Sequence, residues 1–152
     1  MRDQFADLLS DFGKEIGIPE LAFDENGTCS LIFDEVVVNI EKNTEDGKLF
    51  FYSNLGTIPA TQREGFYKTL LEANAFYKGT GGGTLAIDES SNIVLFLYQV
   101  PVKSLDHGTF SKTMENYINI VEYWTEQVKG YPSASGTAAP ADAEPRHVGM
   151  RV

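Results

Sequence analysis

Apolar positions recur along the chain in two rhythms, one helical and one of strands. Between 3 and 16, Phe5, Leu8, Leu9, Phe12 and Ile16 stand at helical spacing on one stripe, which predicts an amphipathic helix. Asp3, Asp7, Asp11 and Glu15 recur at every fourth position and line a neighbouring acidic face. Gly17 and Pro19 stop the helix. Alternation then takes over. In 28–33, Cys29, Leu31 and Phe33 share one face; in 36–42, Val36, Val38 and Ile40 share one face, opposite Asn39 and Glu41. A strand over 48–53 follows Asp46-Gly47, a strong hairpin signal. The short stretch Leu21–Phe23 reads as a small strand or an extended link.

The segment 60–77 predicts a second helix. Phe66, Tyr67, Leu70, Leu71, Ala73, Phe76 and Tyr77 spread over more than one of its faces. A helix apolar on two sides needs two things to bury against: its own sheet and a second surface, such as another subunit. Gly79 and Gly81-Gly82-Gly83 end it and lead to a strand at 84–88. Ser90, Ser91 and Asn92 turn the chain into a strand at 93–100 that is apolar on both faces, and Pro101 closes it. A third helix is predicted over 106–129, with Phe110, Met114, Tyr117, Val121, Trp124 and Val128 as its stripe and Gly130 and Pro132 as its stop. The order α-β-β-β-α-β-β-α with tight hairpins makes the class α+β, with a twisted, mostly antiparallel sheet.

Composition divides the chain at Tyr131. All ten Phe, all seven Tyr and the single Trp lie at or before it, while 132–152 is rich in Pro, Ala, Ser and Gly. Such a segment buries too little apolar surface to offset its ordering entropy. The expectation is one folded domain over 1–131 and a flexible tail over 132–152. In the tail Asp142 and Glu144 balance Arg146 and Arg151, so the folded part carries the whole net charge of −10. That charge argues against nucleic acid or an anionic membrane as the main partner. No 18-residue apolar run and no basic-plus-apolar leader mark a membrane span or signal peptide. The expected location is the cytosol.

No catalytic constellation is visible. The glycines of 79–83 leave a helix and enter a strand and are not followed by Lys-Ser or Lys-Thr. Phosphate loops need the reverse order, so a helix end and a bend are expected there. His107 stands near a helix start and His147 in the tail, neither with a readable metal or nucleophile partner. Cys29 falls on an apolar strand face, as a small buried residue would. The acidic stripe of the first helix reads as a solvated face, or as a border around an apolar surface for a basic or amphipathic partner. No cofactor or metal is expected.

Several stretches resemble the class I type III secretion chaperones, the Tir-chaperone-like family. They are FADLLSDFGKEIGIP in the first helix, LAFDENGTCSLIFDE at the first strand, LLEANAFYKGTGGGTLAIDES across the second helix end and glycine bend, and VLFLYQVPVKSLD followed by VEYW. The resemblance covers about 3–129 and stops before the tail, for which a linker or a docking segment that folds back onto a groove stay open. It implies the same element order, a homodimer, no enzymatic activity and no cofactor. It also implies a cytoplasmic protein of a Gram-negative bacterium. The partner it implies is the extended N-terminal segment of a secreted effector, kept competent for export by the secretion ATPase. It places dimer contacts on the second helix and following strands, at Phe66, Tyr67, Leu70, Leu71, Asn74, Leu85 and Phe96. Effector contacts fall on the first helix and first three strands, at Leu9, Phe12, Leu31, Phe33, Val38, Ile40, Phe50 and Tyr52. For each of these alone, a place in the core is the simpler reading. Two other functions stand beside this one: a regulatory or adaptor module on the same fold, and a nucleotide-binding protein using the glycine bend.

Overall fold

Asp3 caps the first helix. In the computed structural model, which describes residues 3–131, its carboxylate accepts the backbone N–H groups of Phe5 and Ala6, donors that a helix start leaves without partners. Helix α1 then runs Gln4–Ile16 and ends at Gly17 in the left-handed region, with φ 85, where a side chain would be strained. The expected tail over 132–152 lies outside the described residues.

Five strands follow the predicted alternation: β1 (Thr28–Phe33), β2 (Val36–Asn43), β3 (Lys48–Thr57), β4 (Thr84–Asp88) and β5 (Ile93–Pro101). They form one antiparallel sheet in the order β1-β2-β3-β5-β4. Leu21–Phe23 is an extended link. Strand β3 runs four residues past the expected 53. A bulge between Asn54 and Gly56 lets it bend and tucks Leu55 into the core. Gly56, at φ 132, passes so close to Val128 that a Cβ would lie 3.2 Å from its methyl.

Helix α2 (Arg63–Asn74) is shorter than the 60–77 expected. It breaks because Phe76 and Tyr77 take left-handed φ of 55 and 57, rare and costly for bulky residues. The break is pinned from below. Ala73's carbonyl accepts the Gly79 N–H at 2.9 Å, and Gly79's carbonyl accepts the Trp124 indole N–H at 2.7 Å. Helix α3 (His107–Gly130) starts at a capping box in which Asp106 and Thr109 exchange bonds.

The three-element core sits between one face of the sheet and the helices. Val38, Ile40, Leu49, Phe51, Val94 and Phe96 on the sheet meet Leu8, Leu9 and Phe12 of α1 and the whole predicted stripe of α3. Phe51 packs edge-on against Tyr117 at 5.5 Å, a favourable ring geometry. One polar chain crosses this core. The Tyr117 hydroxyl lies 2.8 Å from Ser53 Oγ, which itself donates to the Val37 carbonyl at 2.7 Å; Tyr117 therefore donates to Ser53. Burial pushes the Tyr117 phenol well up, so it stays a donor.

Candidate functional site

The helices cover one face of the sheet and leave the other open. Cross-strand register puts Ile32 opposite Val37, and Tyr52 between Asn39 and Leu97, on that open face. Ile32 is 71% exposed, and Val37 and Leu97 are each exposed by more than a third. Phe50, Tyr52 and Leu95 join them half-buried. A monomer seldom leaves so contiguous an apolar face in water without a partner for it. A second apolar display lies at the end of α2, where Leu71, Tyr77 and Phe76 are exposed, Phe76 almost completely at 93%.

The helical side carries a third feature. Between α1 and α3 runs a groove of about 430 Å³ with Phe12, Phe33, Met114 and Ile118 beneath and Glu15, Ser111, Lys112 and Glu115 along its rim. Its mouth is tied across. Glu15 accepts the Ser111 hydroxyl at 2.7 Å and lies 3.1 Å from His107 Nε2. His107, half exposed at the start of α3 as the sequence suggested, has the Glu15 carboxylate beside it.

The expected contact residues divide on burial. Leu9, Leu31, Val38 and Ile40 are sealed in the core by α1 and α3 and have no surface to offer a peptide. Phe12, 4% exposed, is buried but lines the α1–α3 groove. Phe33 borders that groove too, while Phe50 and Tyr52 stand on the open sheet face. On the other list, Phe66, Leu70, Leu85 and Phe96 are buried within their own chain. Tyr67 is half-buried and Leu71 is 68% exposed. Asn74 turns inward: its amide donates to the Leu85 carbonyl at 2.9 Å and accepts the Leu85 N–H at 2.8 Å.

The residues that sequence reasoning missed are Ile32, Val37 and Leu97. Their signal was present, since β1, β2 and β5 carry apolar residues on both faces. The shifted acids have structural causes. Hydrogen bonds from Thr109 hold Asp106 below the usual carboxylate range, and those from Thr28 do the same for Asp24. Burial, helped by the Asp24 charge, pushes the Cys29 thiol up, which disfavours the thiolate. Among the described residues, no cluster of three or more His, Cys, Asp or Glu could hold a metal, and no helix is long and apolar enough to cross a membrane.

The model of the Tir chaperone protein (CesT) family matches residues 7–125. The chain belongs to this family. Among curated members, the Tir chaperone of Citrobacter freundii is 32% identical over 114 residues, covering 75% of this chain and 70% of that one. The transcriptional anti-antiactivator ExsC of Pseudomonas aeruginosa is 28% identical over 146 residues, covering 95% of this chain and 94% of that one. The second alignment is therefore long enough to reach past Tyr131. In three dimensions the chain is similar to the ExsC–ExsE complex, with a TM-score of 0.72, 27% identity, and coverage of 82% of this chain and 93% of that one. It shares its fold with the HopA1–SchA chaperone–effector complex at a TM-score of 0.66, 21% identity, and coverage of 81% and 94%. The α+β arrangement read from the sequence is thus the fold that this chain shares with those complexes.

Proposed function

We propose that the protein is a type III secretion chaperone. It binds an extended segment of a secreted effector, works in the cytoplasm as a homodimer, and does no covalent chemistry. The observation that carries this reading is the uncovered apolar surface on a member of a chaperone family. The fold completes its own core and still leaves Ile32, Val37 and Leu97 in water. An extended peptide suits such a surface, because its alternate side chains enter apolar depressions while its main chain bonds to a sheet edge. Strand β1 is such an edge, pairing with β2 alone. On the helical side the α1–α3 groove, with Phe33 as its aromatic wall, takes further side chains. Leu71, Phe76 and Tyr77 supply the contact between two copies. Exposed aromatics on a rigid support are typical interface anchors.

A second reading draws on the ExsC match. That alignment covers 95% of this chain, against 75% for the Tir chaperones. The same surfaces would then hold a regulatory protein, as an adaptor module would.

Affinity capture from the native host, followed by limited proteolysis of what is bound, separates the two. A protease-sensitive protein held through an N-terminal extended segment is the expected catch. Recovery of folded cytosolic proteins alone would remove the effector reading and leave the regulatory one.

A further inference from the structure

Strand β1 borders the sheet, and its outer side is only partly used. In an antiparallel pair, residues bonded to the neighbour alternate with residues whose N–H and C=O point away from it. Lys42 donates its backbone N–H to the Gly27 carbonyl at 2.9 Å, which sets the phase. With Cys29 opposite Ile40 and Leu31 opposite Val38, the backbone groups of Cys29, Leu31 and Phe33 bond to β2, and those of Thr28, Ser30 and Ile32 face outward. Thr28 is satisfied by the turn before it. Its N–H donates to the Asp24 carboxylate at 3.0 Å, and its carbonyl accepts the Asp24 N–H at 2.8 Å. Among the described residues nothing covers Ser30 and Ile32 in this way, and both are exposed. A guest strand therefore finds two successive docking points, beside an Ile32 side chain that is 71% exposed.

Acids stand at both ends of this short edge. Asp24 and Glu25 precede Thr28, Asp34 and Glu35 follow Phe33, and all four are exposed. Lys42, beside Gly27, is engaged with Asp3 at 3.6 Å. One stretch of the same chain matches the edge. Residues 146–152, outside the described part, read Arg-His-Val-Gly-Met-Arg-Val. Val148, Met150 and Val152 alternate, as in a strand with one apolar face, and the stretch holds two arginines and no acid. Arg146 and Arg151 are as many positions apart as Thr28 and Phe33, about 17 Å in an extended chain. Laid along β1 in either direction, the stretch sets one guanidinium at each acidic end. Fourteen residues, 132–145, join it to Tyr131, a reach of about 45 Å. Tyr131 is held against Phe66 at 5.0 Å, at the end of a helix that packs on β3. From β3 to β1 is two strand spacings, about 10 Å.

We propose that residues 146–152 dock on the β1 edge of their own chain as a sixth strand. Val148 and Met150 lie beside Ile32, and the two arginines face Asp24 and Glu25 at one end and Asp34 and Glu35 at the other. Main-chain bonds to Ser30 and Ile32 hold the segment, as they hold any peptide added to a sheet edge. The segment then stands where a client strand was placed above, and has to leave before a client enters. That competition rests on the chaperone reading; the docking itself does not.

The test uses the full-length chain with His147→Cys and a nitroxide attached at that position, on the side of the guest away from its apolar row. The other thiol, Cys29, is buried. Strong paramagnetic broadening of the Ser30 and Ile32 amide signals is expected, with those of β4, on the opposite border, little changed. Arg146→Glu with Arg151→Glu should restore the signals and speed hydrogen exchange of the same two amides by about tenfold. Arg146→Lys with Arg151→Lys should keep the broadening. Absent or uniform broadening, or broadening that survives the glutamate pair, overturns the proposal. A mixture of isotope-labelled chain without nitroxide and nitroxide chain without isotope should show no broadening at Ser30 and Ile32. Broadening there overturns the proposal in favour of a segment supplied by a second copy. Absence of docking would leave effector capture untouched, and failed effector capture would leave the docking untouched, so the two readings fail separately.

Discussion

The two faces of the sheet have similar sequence but different fates. On the covered face, Val38, Ile40, Phe51 and Phe96 are sealed by α1 and α3. On the open face, Ile32, Val37, Leu97 and Tyr52 have equally apolar side chains and no helix over them. Helix α2 repeats the contrast within one element. Phe66, Leu70 and Ala73 turn in, while the adjacent Leu71 turns out. On the reading proposed above, apolar residues serve two ends here: one set holds the chain together, and the other meets a partner. The first set should respond to mutation in stability, the second in association.

The sharpest break of this contrast is between neighbours on α2. Leu70→Asp puts an unpaired charge among buried side chains, which costs several kcal/mol; circular dichroism should show loss of the folded state. Leu71→Asp should leave stability within ~0.5 kcal/mol, yet move the species seen by light scattering from dimer toward monomer. If Leu71→Asp leaves a dimer intact, the outward face of α2 is not the contact between copies.

A smaller effect is expected from removing a ring in the covered face. Phe51→Ala leaves a cavity among Tyr98, Phe110 and Tyr117 and should cost about 3–5 kcal/mol in urea denaturation. A loss under 1 kcal/mol, with about 25 cal/mol per Å² expected for the buried area, would mean that the helices do not pack tightly on this face.

A small effect on stability is also expected on the open face. Ile32→Ser with Val37→Ser should change unfolding free energy by less than about 1 kcal/mol in total. The same pair should weaken capture of the bound segment by about tenfold or more. Undiminished capture would place the client entirely on the helical side.

The stripes of α1 and α3 were legible because a helix with one apolar face can be buried in only one way. The strands were legible from alternation, and β3 exceeded its expected length because Leu55 continues the inward positions of Leu49, Phe51 and Ser53 and pairing with β5 resumes at Gly56 beyond the bulge. The end of α2 was not legible. Phe76 and Tyr77 look like good helix or interface residues, and the αL turn is imposed by Gly79, held between Ala73 and Trp124. The site was only half legible for a related reason. Alternation separates the residues of a strand into two faces, but which face is covered depends on where distant helices land. Leu31 and Ile32 differ by one position and by the whole of that outcome.

Asn74 has a consequence for where a guest strand can join. Its amide occupies both outward-facing backbone groups of Leu85 in the middle of β4, one of the two outer strands of the sheet. A sheet with two vacant borders can stack neighbours without end, as fibrils do. Here the β4 border is interrupted at its Leu85 position by a side chain, while β1 pairs with β2 alone. Among the described residues β4 is therefore the more guarded of the two outer strands, and β1 is the readier border for a guest strand.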